Sequence, residues 1–384
     1  MNILFYDMGS FTYKDLQFHL SKAGHQYKLM MYRFQNTYED AFFSDRFRQE
    51  LAGASYDVVF SINFFPLIAE LCSEIGIPYL SWAYDSPLAE RAYSYLDYET
   101  NYVCFFDRAE VLRYRNMGHT RVFHLPLAIN AERIDTLLDN APYPQKYWAD
   151  VAFIGQLYNS SLDALLAPAN DYIKGYVEGI IQSQMRIYGY DFINELIPND
   201  LLEYMNQMPY SPDAPRTRLT RIGMIFAIQK HITHLERIQL LEELGARFET
   251  HFHTRNKHDF QAPVICQSPV DYYTTMPYVF RTSKLNLCPT LRSIESGIPL
   301  RALDIMVSKG TLFSNYQPEL AENFVDGQDV IMYSSIEDAI EKASFYLSHD
   351  DLREAIARSG YEKTKKQFDY SVMLPKLFDI LHTN

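Results

Sequence analysis

Residues suited to phosphate and hydroxyl chemistry gather in one stretch, RSIESGIPLRALDIM (292–306). Gly297 and Pro299 mark a helix start, with proline near the first helical position, where its missing N–H costs nothing. A helix N-terminus presents free N–H groups and a partial positive charge, which together seat a diphosphate. Arg301 falls in the first turn and can add a charge-assisted fork to the same phosphates. Asp304 lies three residues on and shares a face with Arg301. A carboxylate there can accept from two neighbouring hydroxyls, as on a ribose. The same letters also fit an ordinary helix start with an Arg301–Asp304 surface ion pair, worth about 0.3–0.5 kcal/mol. Arg292, ahead of the loop, can neutralise a leaving diphosphate or stand in solvent.

A second group of candidates lies in the first 90 residues. Asp85 precedes Ser86-Pro87, a helix N-cap pattern, and it can equally orient or deprotonate an acceptor hydroxyl. Trp82 and Tyr84 alternate onto one strand face, where they serve as core or as a stacking surface for an acceptor sugar. Gly9 and Ser10 can form a backbone cradle after the first strand. Farther along the chain, His251 and His253 share a strand face. With no third ligand evident nearby, they read as rim or base-adjacent residues, and no metal is expected.

These residues need a frame. Residues 2–7, 27–34, 57–62, 78–85, 101–107 and 121–125 read as strands. Helical patterns intervene at 13–23, 39–52, 65–75 and 110–117. Such alternation argues for a parallel sheet covered on both faces. Ligands on such sheets bind beyond the strand carboxyl ends, which puts Gly9, Ser10, Asn63 and residues 83–87 on one rim. DNAPYP (139–144) reads as a linker. DVAFIG (150–155) then restarts the strand–glycine pattern. A long helical section covers about 160–244, with a Pro-rich break at 209–215. Further strands follow near 246–252, 264–266, 285–289, 310–314 and 330–333, with helices at 274–282, 336–347, 351–367 and 371–381.

The 384 residues suit two domains. A net charge of −13 argues against nucleic acid as the main partner. The four cysteines are scattered without a C-x-x-C pair, as buried, reduced thiols would be. No run approaches the roughly 20 apolar residues of a membrane span, and the start is too quickly polar for a signal peptide. The expected location is the cytoplasm.

The stretch 293–306, followed by Gly310 and SNYQPEL (314–320), resembles the C-terminal domain of the CgeB-like, spore-maturation-type glycosyltransferases. PYLSWAYDSP (78–87) resembles their N-terminal domain, and DVAFIGQLYN (150–159), GYVEGIIQSQ (175–184) and THLERI (233–238) also fit. The resemblance implies an α/β GT-B architecture of two Rossmann-like domains facing a cleft. They would span 1–143 on the acceptor side and 144–370 on the nucleotide-sugar side, the second with a helical insertion at about 160–244. A C-terminal helix, 371–384, would pack back toward the first domain.

The activity implied is a hexosyltransferase, metal-independent and retaining, moving a sugar from a nucleotide diphosphate sugar, with UDP favoured, to a hydroxyl of a protein or glycan. No resident cofactor is implied. Domain closure would exclude water from the donor. The family's Glu-x7-Glu pattern puts its second carboxylate, the ribose holder, at Asp304. Its first falls on Ser296, with Glu295 one place early. Either Glu295 reaches the sugar, or backbone N–H groups near Gly297 and Ile298 replace the acid. Arg301 is assigned to the diphosphate. Gly155 and Gln156 are placed near the β-phosphate and sugar. The turn QSPVDY (267–272), with Ser268, Asp271 and Tyr272, is placed at the nucleobase. The donor set thus adds Arg292, Ser296, Gly297, Ile298, Leu300, Arg301 and Asp304. The catalytic set is Asp85, Glu295 and Arg301, and the acceptor set is Gly9, Ser10, Trp82, Tyr84 and Ser86. A GT-B-fold epimerase and a non-catalytic nucleotide-sugar-binding protein are the alternatives.

Overall fold

The computed structural model describes residues 1–139, 144–208, 218–255 and 258–383. The first sheet is built from β1 (Asn2–Asp7), β2 (Gln26–Met31), β3 (Val58–Ile62), β4 (Tyr79–Ala83), β5 (Asn101–Phe105) and β6 (Val122–His124). Between them run α1 (Tyr13–Lys22), α2 (Ala41–Gly53), α3 (Pro66–Ile75) and α4 (Arg108–Asn116). All pairings are parallel, in the order β2-β1-β3-β4-β5-β6. Strands β3 and β4 are buried at every position, whereas edge strand β2 alternates exposed and covered. Continuous apolar runs such as VVF and YLSWA therefore mark strands with helices on both faces.

Helix α5 (Ala131–Asp139) follows, in a stretch to which the sequence pattern assigns no element. Of the expected linker at 139–144, Asp139 closes α5, and residues 140–143, with the domain boundary at 143, lie outside the described residues, as does the Pro-rich break at 209–215.

The second sheet comprises β7 (Val151–Ile154), β8 (Thr250–His253), β9 (Ile265–Gln267), β10 (Leu285–Cys288), β11 (Leu312–Asn315) and β12 (Ile331–Tyr333). It is again wholly parallel, in the order β12-β11-β10-β7-β8-β9. Its core packs Val151, Phe153, Phe252, Leu287 and Phe313. Between β7 and β8 stand α6 (Leu162–Leu166), α7 (Asp171–Gln184), α8 (Asn199–Gln207) and the long α9 (Arg221–Gly245). This insertion has a core of its own, with Val177, Ile180, Met205, Met224 and Ile228 buried together. Helices α10 (Met276–Thr282), α11 (Leu300–Val307), α12 (Pro318–Asn323), α13 (Ile336–Leu347), α14 (Asp350–Phe368) and α15 (Tyr370–Asp379) complete the chain. No helix among the described residues is long and apolar enough to cross a membrane.

By internal packing the chain forms two compact units. One takes Met1–Arg133, Ser296–Leu303 and Thr364–Asn384; the other takes Ile134–Glu295 and Asp304–Lys363. The loop entering α11 and the last helix thus pack with the first sheet.

Candidate functional site

Each sheet has one point where neighbouring strands leave in opposite directions of chain order, and the crevice beyond such a point is where parallel sheets hold ligands. In the first sheet it falls between β1 and β3. Asp7 ends β1 at 1% exposure, and its Oδ2 accepts from the backbone N–H of Gly9 (2.8 Å) and Ser10 (2.9 Å). Gly9 turns the chain at φ 95°, a left-handed conformation glycine reaches without a Cβ clash. Asp7 Oδ1 and Ser10 Oγ are buried without a protein partner.

After β3, Asn63 (φ 65°) organises the Asp85 segment. Its Oδ1 accepts from the N–H of Tyr84 (2.7 Å) and Asp85 (3.0 Å), and its Nδ2 donates to Asp85 Oδ2 (2.6 Å). Asp85 is exposed and caps no helix; the next turn, a 3-10 helix, starts at Glu90. The N-cap expectation for Asp85 is thus corrected. Ser86 turns inward instead, donating to Glu110 Oε2 (2.6 Å). Glu110 also accepts from Leu88 N–H (3.0 Å) and from the Tyr114 hydroxyl. Burial raises the Glu110 carboxyl above its ordinary pKa, and these donors oppose the rise.

Trp82 is fully buried, with its indole beside Tyr84 and Tyr370. It belongs to the core, which corrects its assignment as an acceptor-stacking surface. Tyr84 remains partly exposed, its hydroxyl 3.0 Å from that of Tyr370.

The first turn of α4 also holds the loop ahead of α11. Asp107, the N-cap of α4, is fully buried. Its Oδ1 accepts from Ala109 N–H (3.0 Å), Ser296 N–H (3.1 Å) and Ser296 Oγ (2.7 Å). Ala109 N–H also donates to Ser296 Oγ (3.0 Å). Gly297 presses on the same backbone: a Cβ there would stand 2.9 Å from Asp107 Cα and 3.0 Å from Phe106 O. An acid at position 296 would meet a buried carboxylate, which gives a physical reason for serine here. The side chains of Ile298 and Leu300 are buried at 2% and 9% exposure, so only their backbone can face a ligand. Arg301 lies half-buried in the first turn of α11.

In the second sheet the switch falls between β7 and β10. Gly155 and Gln156 follow β7; Gly155 N–H donates to His253 O (3.1 Å), and the Gln156 side chain is exposed. Beyond β10, Arg292 does not stand free for a phosphate. Its Nε donates to Glu236 Oε2 (2.8 Å), its Nη2 to Glu236 Oε1 and its Nη1 to Ile187 O (2.7 Å), with the guanidinium 4.1 Å over the Tyr188 ring. Burial alone would lower its pKa; the Glu236 carboxylate outweighs burial and holds it above the ordinary value. The expected diphosphate role of Arg292 is therefore corrected to a buried ion pair under the loop. Glu295 is half-buried beside a small polar recess lined by Gln184, Asp191, Thr290, Asn315 and Gln317.

The turn after β9 meets α11 directly: the Tyr272 hydroxyl donates to Asp304 Oδ1 (3.1 Å), and Asp304 is 2% exposed. Asp271 Oδ1 accepts from Tyr273 N–H, Thr274 N–H and Thr274 Oγ1, so it shapes its own turn. Ser268 is exposed, and its carbonyl lies 3.4 Å from His253 Nδ1. His251 and His253 are buried at 5% and 3% exposure, inside the sheet layer rather than on its rim. Burial lowers the His253 pKa. Among the described residues no group of three or more His, Cys, Asp or Glu could hold a metal ion.

The structure thus brings Ser296 and Gly297 together with Asp107, Asp85 and Ser86 with Asn63 and Glu110, and Tyr272 with Asp304. Asn63 was legible as a rim residue only. Asp107, Glu110, Glu236 and Arg237 were missed, because each acts through a partner distant in sequence.

A family model described as glycosyl transferase-like matches residues 235–379. No curated protein matches the sequence. Among solved structures, the E. coli trehalose-6-phosphate protein bound with UDP-2-fluoro glucose is 11% identical, covers 100% of both chains and has a TM-score of 0.55. A glycosyltransferase from Rickettsia africae is 10% identical over 100% of this chain and 99% of its own, with a TM-score of 0.53. A UDP-forming α,α-trehalose-phosphate synthase from Burkholderia xenovorans is 13% identical over 100% and 98%, also with a TM-score of 0.53. With its two six-stranded parallel sheets, the chain has the GT-B fold of these glycosyltransferases.

Proposed function

We propose that the protein is a glycosyltransferase of the CgeB-like kind that moves a hexose from a UDP-sugar to a hydroxyl of a protein or glycan, with retention at the anomeric carbon. One observation carries this reading. The glycosyl transferase-like match spans 235–379, the stretch that supplies β10, the 290–297 loop and α11 with Arg301 and Asp304. The solved structures with UDP-2-fluoro glucose or a UDP-forming activity support the choice of UDP.

In this reading the acceptor oxygen forms a new bond to the anomeric carbon. The bond from that carbon to the β-phosphate oxygen breaks, UDP leaves, and the acceptor hydroxyl loses its proton. Asp85, exposed and oriented by Asn63, receives or orients that proton. The N-terminal turn of α11 and Arg301 stabilise charge developing on the diphosphate, so the chain's own cations serve without a metal. Asp304 holds the ribose hydroxyls with Tyr272 alongside. Gly155 and Gln156, and the backbone at Gly297 and Ile298, are assigned to the sugar by the family resemblance, with Glu295 as the acid of that loop. Gly9, Ser10, Tyr84 and Ser86 form the acceptor side.

The test is a panel of nucleotide sugars read by thermal shift and nucleotide release. UDP-sugars should raise the melting temperature and release UDP slowly. Arg301→Ala should weaken UDP binding at least tenfold by calorimetry. Unchanged UDP affinity in that variant would sink the phosphate assignment, and UDP binding without transfer or hydrolysis would favour a non-catalytic binding protein.

A further inference from the structure

Arg237 carries a charge that the described protein does not balance. It sits on α9 at 7% exposure. Its Nη1 donates to Gln156 O and its Nη2 to Pro289 O, both at 2.5 Å. The ring faces of Phe153 (5.2 Å) and Tyr158 (4.7 Å) flank the guanidinium. Its Nε is buried without a partner, and no carboxylate among the described residues pairs with it. Burial lowers its pKa, and the opposing influences come from Tyr158, Cys288 and Tyr333, none of them a carboxylate. Arg292 shows the ordinary arrangement, a buried guanidinium forked onto Glu236, the residue next to Arg237 in sequence.

A buried guanidinium remains charged because its intrinsic pKa is so high, and a buried charge without a counter-ion is costly. The position of this one is telling. Gln156 follows β7 and Pro289 follows β10, the two strands flanking the switch point of the second sheet. Both carbonyls that hold Arg237 therefore belong to the strand ends where such sheets receive ligands. A cation fixed beneath them, in a low-dielectric setting little screened by salt, projects its field into that crevice.

We infer that Arg237 is a preorganised cation beneath the β7–β10 switch point, and that its missing counter-ion is an anionic phosphate group of the ligand. The identity of that group as a nucleotide diphosphate rests on the function proposed above; the need for an anion rests on Arg237 alone. Arg237 acts through the field and through the two carbonyls it ties, so it is a positioning residue rather than a catalytic one.

Calorimetry with uridine, UMP, UDP and inorganic pyrophosphate, on the whole protein and on Arg237→Gln and Arg237→Lys, separates the readings. Wild-type protein should bind UDP far more tightly than uridine. Arg237→Gln should lose at least tenfold in UDP and pyrophosphate affinity while uridine affinity changes less than twofold. Arg237→Lys keeps the charge but cannot bridge both carbonyls, so it should melt earlier yet hold UDP within about threefold of wild type. It also serves if the Gln variant does not fold. An unchanged UDP-to-uridine ratio in Arg237→Gln, or a Lys variant that loses UDP as fully as Gln, would reduce Arg237 to a backbone tie. Pyrophosphate binding without any uridine or UDP binding would uphold the cation and remove the nucleotide reading. Uridine binding that gains nothing from added phosphates would do the reverse.

Discussion

The strand ends of the two sheets hold opposite charges by opposite means. In the first, Asp7, Asp85 and Glu110 are held by neutral donors: the N–H groups of Gly9 and Ser10, the Asn63 amide, and Ser86 with Leu88 and Tyr114. None of the three pairs with a cation among the described residues. In the second, Arg237 is held by carbonyls, and Arg292 by a carbonyl and Glu236. Neutral donors leave a carboxylate its negative charge, and carbonyls leave a guanidinium its positive one. The first sheet's strand ends therefore keep carboxylates that no described cation balances, and the second keeps one guanidinium, Arg237, that no described carboxylate balances.

The sharpest way to break the comparison is to remove the one compensated cation. Arg292→Met leaves the Glu236 carboxyl group buried at 4% exposure and without its guanidinium partner. Breaking a buried pair from one side costs about 3–5 kcal/mol. The double variant Arg292→Met/Glu236→Leu should recover most of that, since an apolar pair of similar volume removes both charges. Urea unfolding reads both. A single variant within about 1 kcal/mol of wild type would mean that this pair is solvated and that the contrast with Arg237 is false.

Helix α4 gives the next largest effect. Glu110→Leu removes the acceptor for Ser86, Leu88 and Tyr114 at once. A donor left buried and unpaired costs about 1–3 kcal/mol, so a loss of about 2–3 kcal/mol is expected. Glu110→Gln keeps an acceptor for Leu88 N–H and should lose less than half as much. Hydrogen exchange should show residues 84–89 losing protection in the Leu variant while β1 keeps its own. Equal losses in the two variants would show that charge, not the acceptor set, holds the Asp85 segment.

These contacts explain what the sequence could and could not disclose. Buried apolar runs announced both sheets, because strands covered on both faces must be apolar throughout; DVAFIG and LNLC are examples. Edge strands such as β9, exposed at Ile265 and Cys266, carry little of that signal, and their bounds shifted. The start of α11, which carries Arg301 and Asp304, was readable because its glycine and proline signals are local. Arg292 was misread because its partner Glu236 lies 56 positions away. Trp82 was misread because Tyr370, from the last helix, closes over it. A side chain's partner, rather than its type, decides whether it is available to a ligand, and partners this distant leave no mark on local periodicity.

The smallest predicted effect concerns the position where the local pattern departs from its family. Ser296 and Asp107 lie 189 residues apart and share two hydrogen bonds, through the serine N–H and its hydroxyl. Ser296→Ala removes the hydroxyl bond and leaves the backbone bond and the Ala109 N–H in place for Asp107. The expected loss is therefore about 1.5 kcal/mol, the lower end for a hydrogen bond to a charged group. If this tie sets the entry to α11, UDP affinity should fall a few-fold along with stability. Ser296→Glu tests the same contact from the other side: its carboxylate is driven toward buried Asp107, and like charges there raise one pKa or push the loop away. The Glu variant should then be less stable than the Ala variant at neutral pH. A Glu variant as stable as wild type at neutral pH would mean that the loop accepts an acid freely, and that Asp107 does not determine the residue at 296.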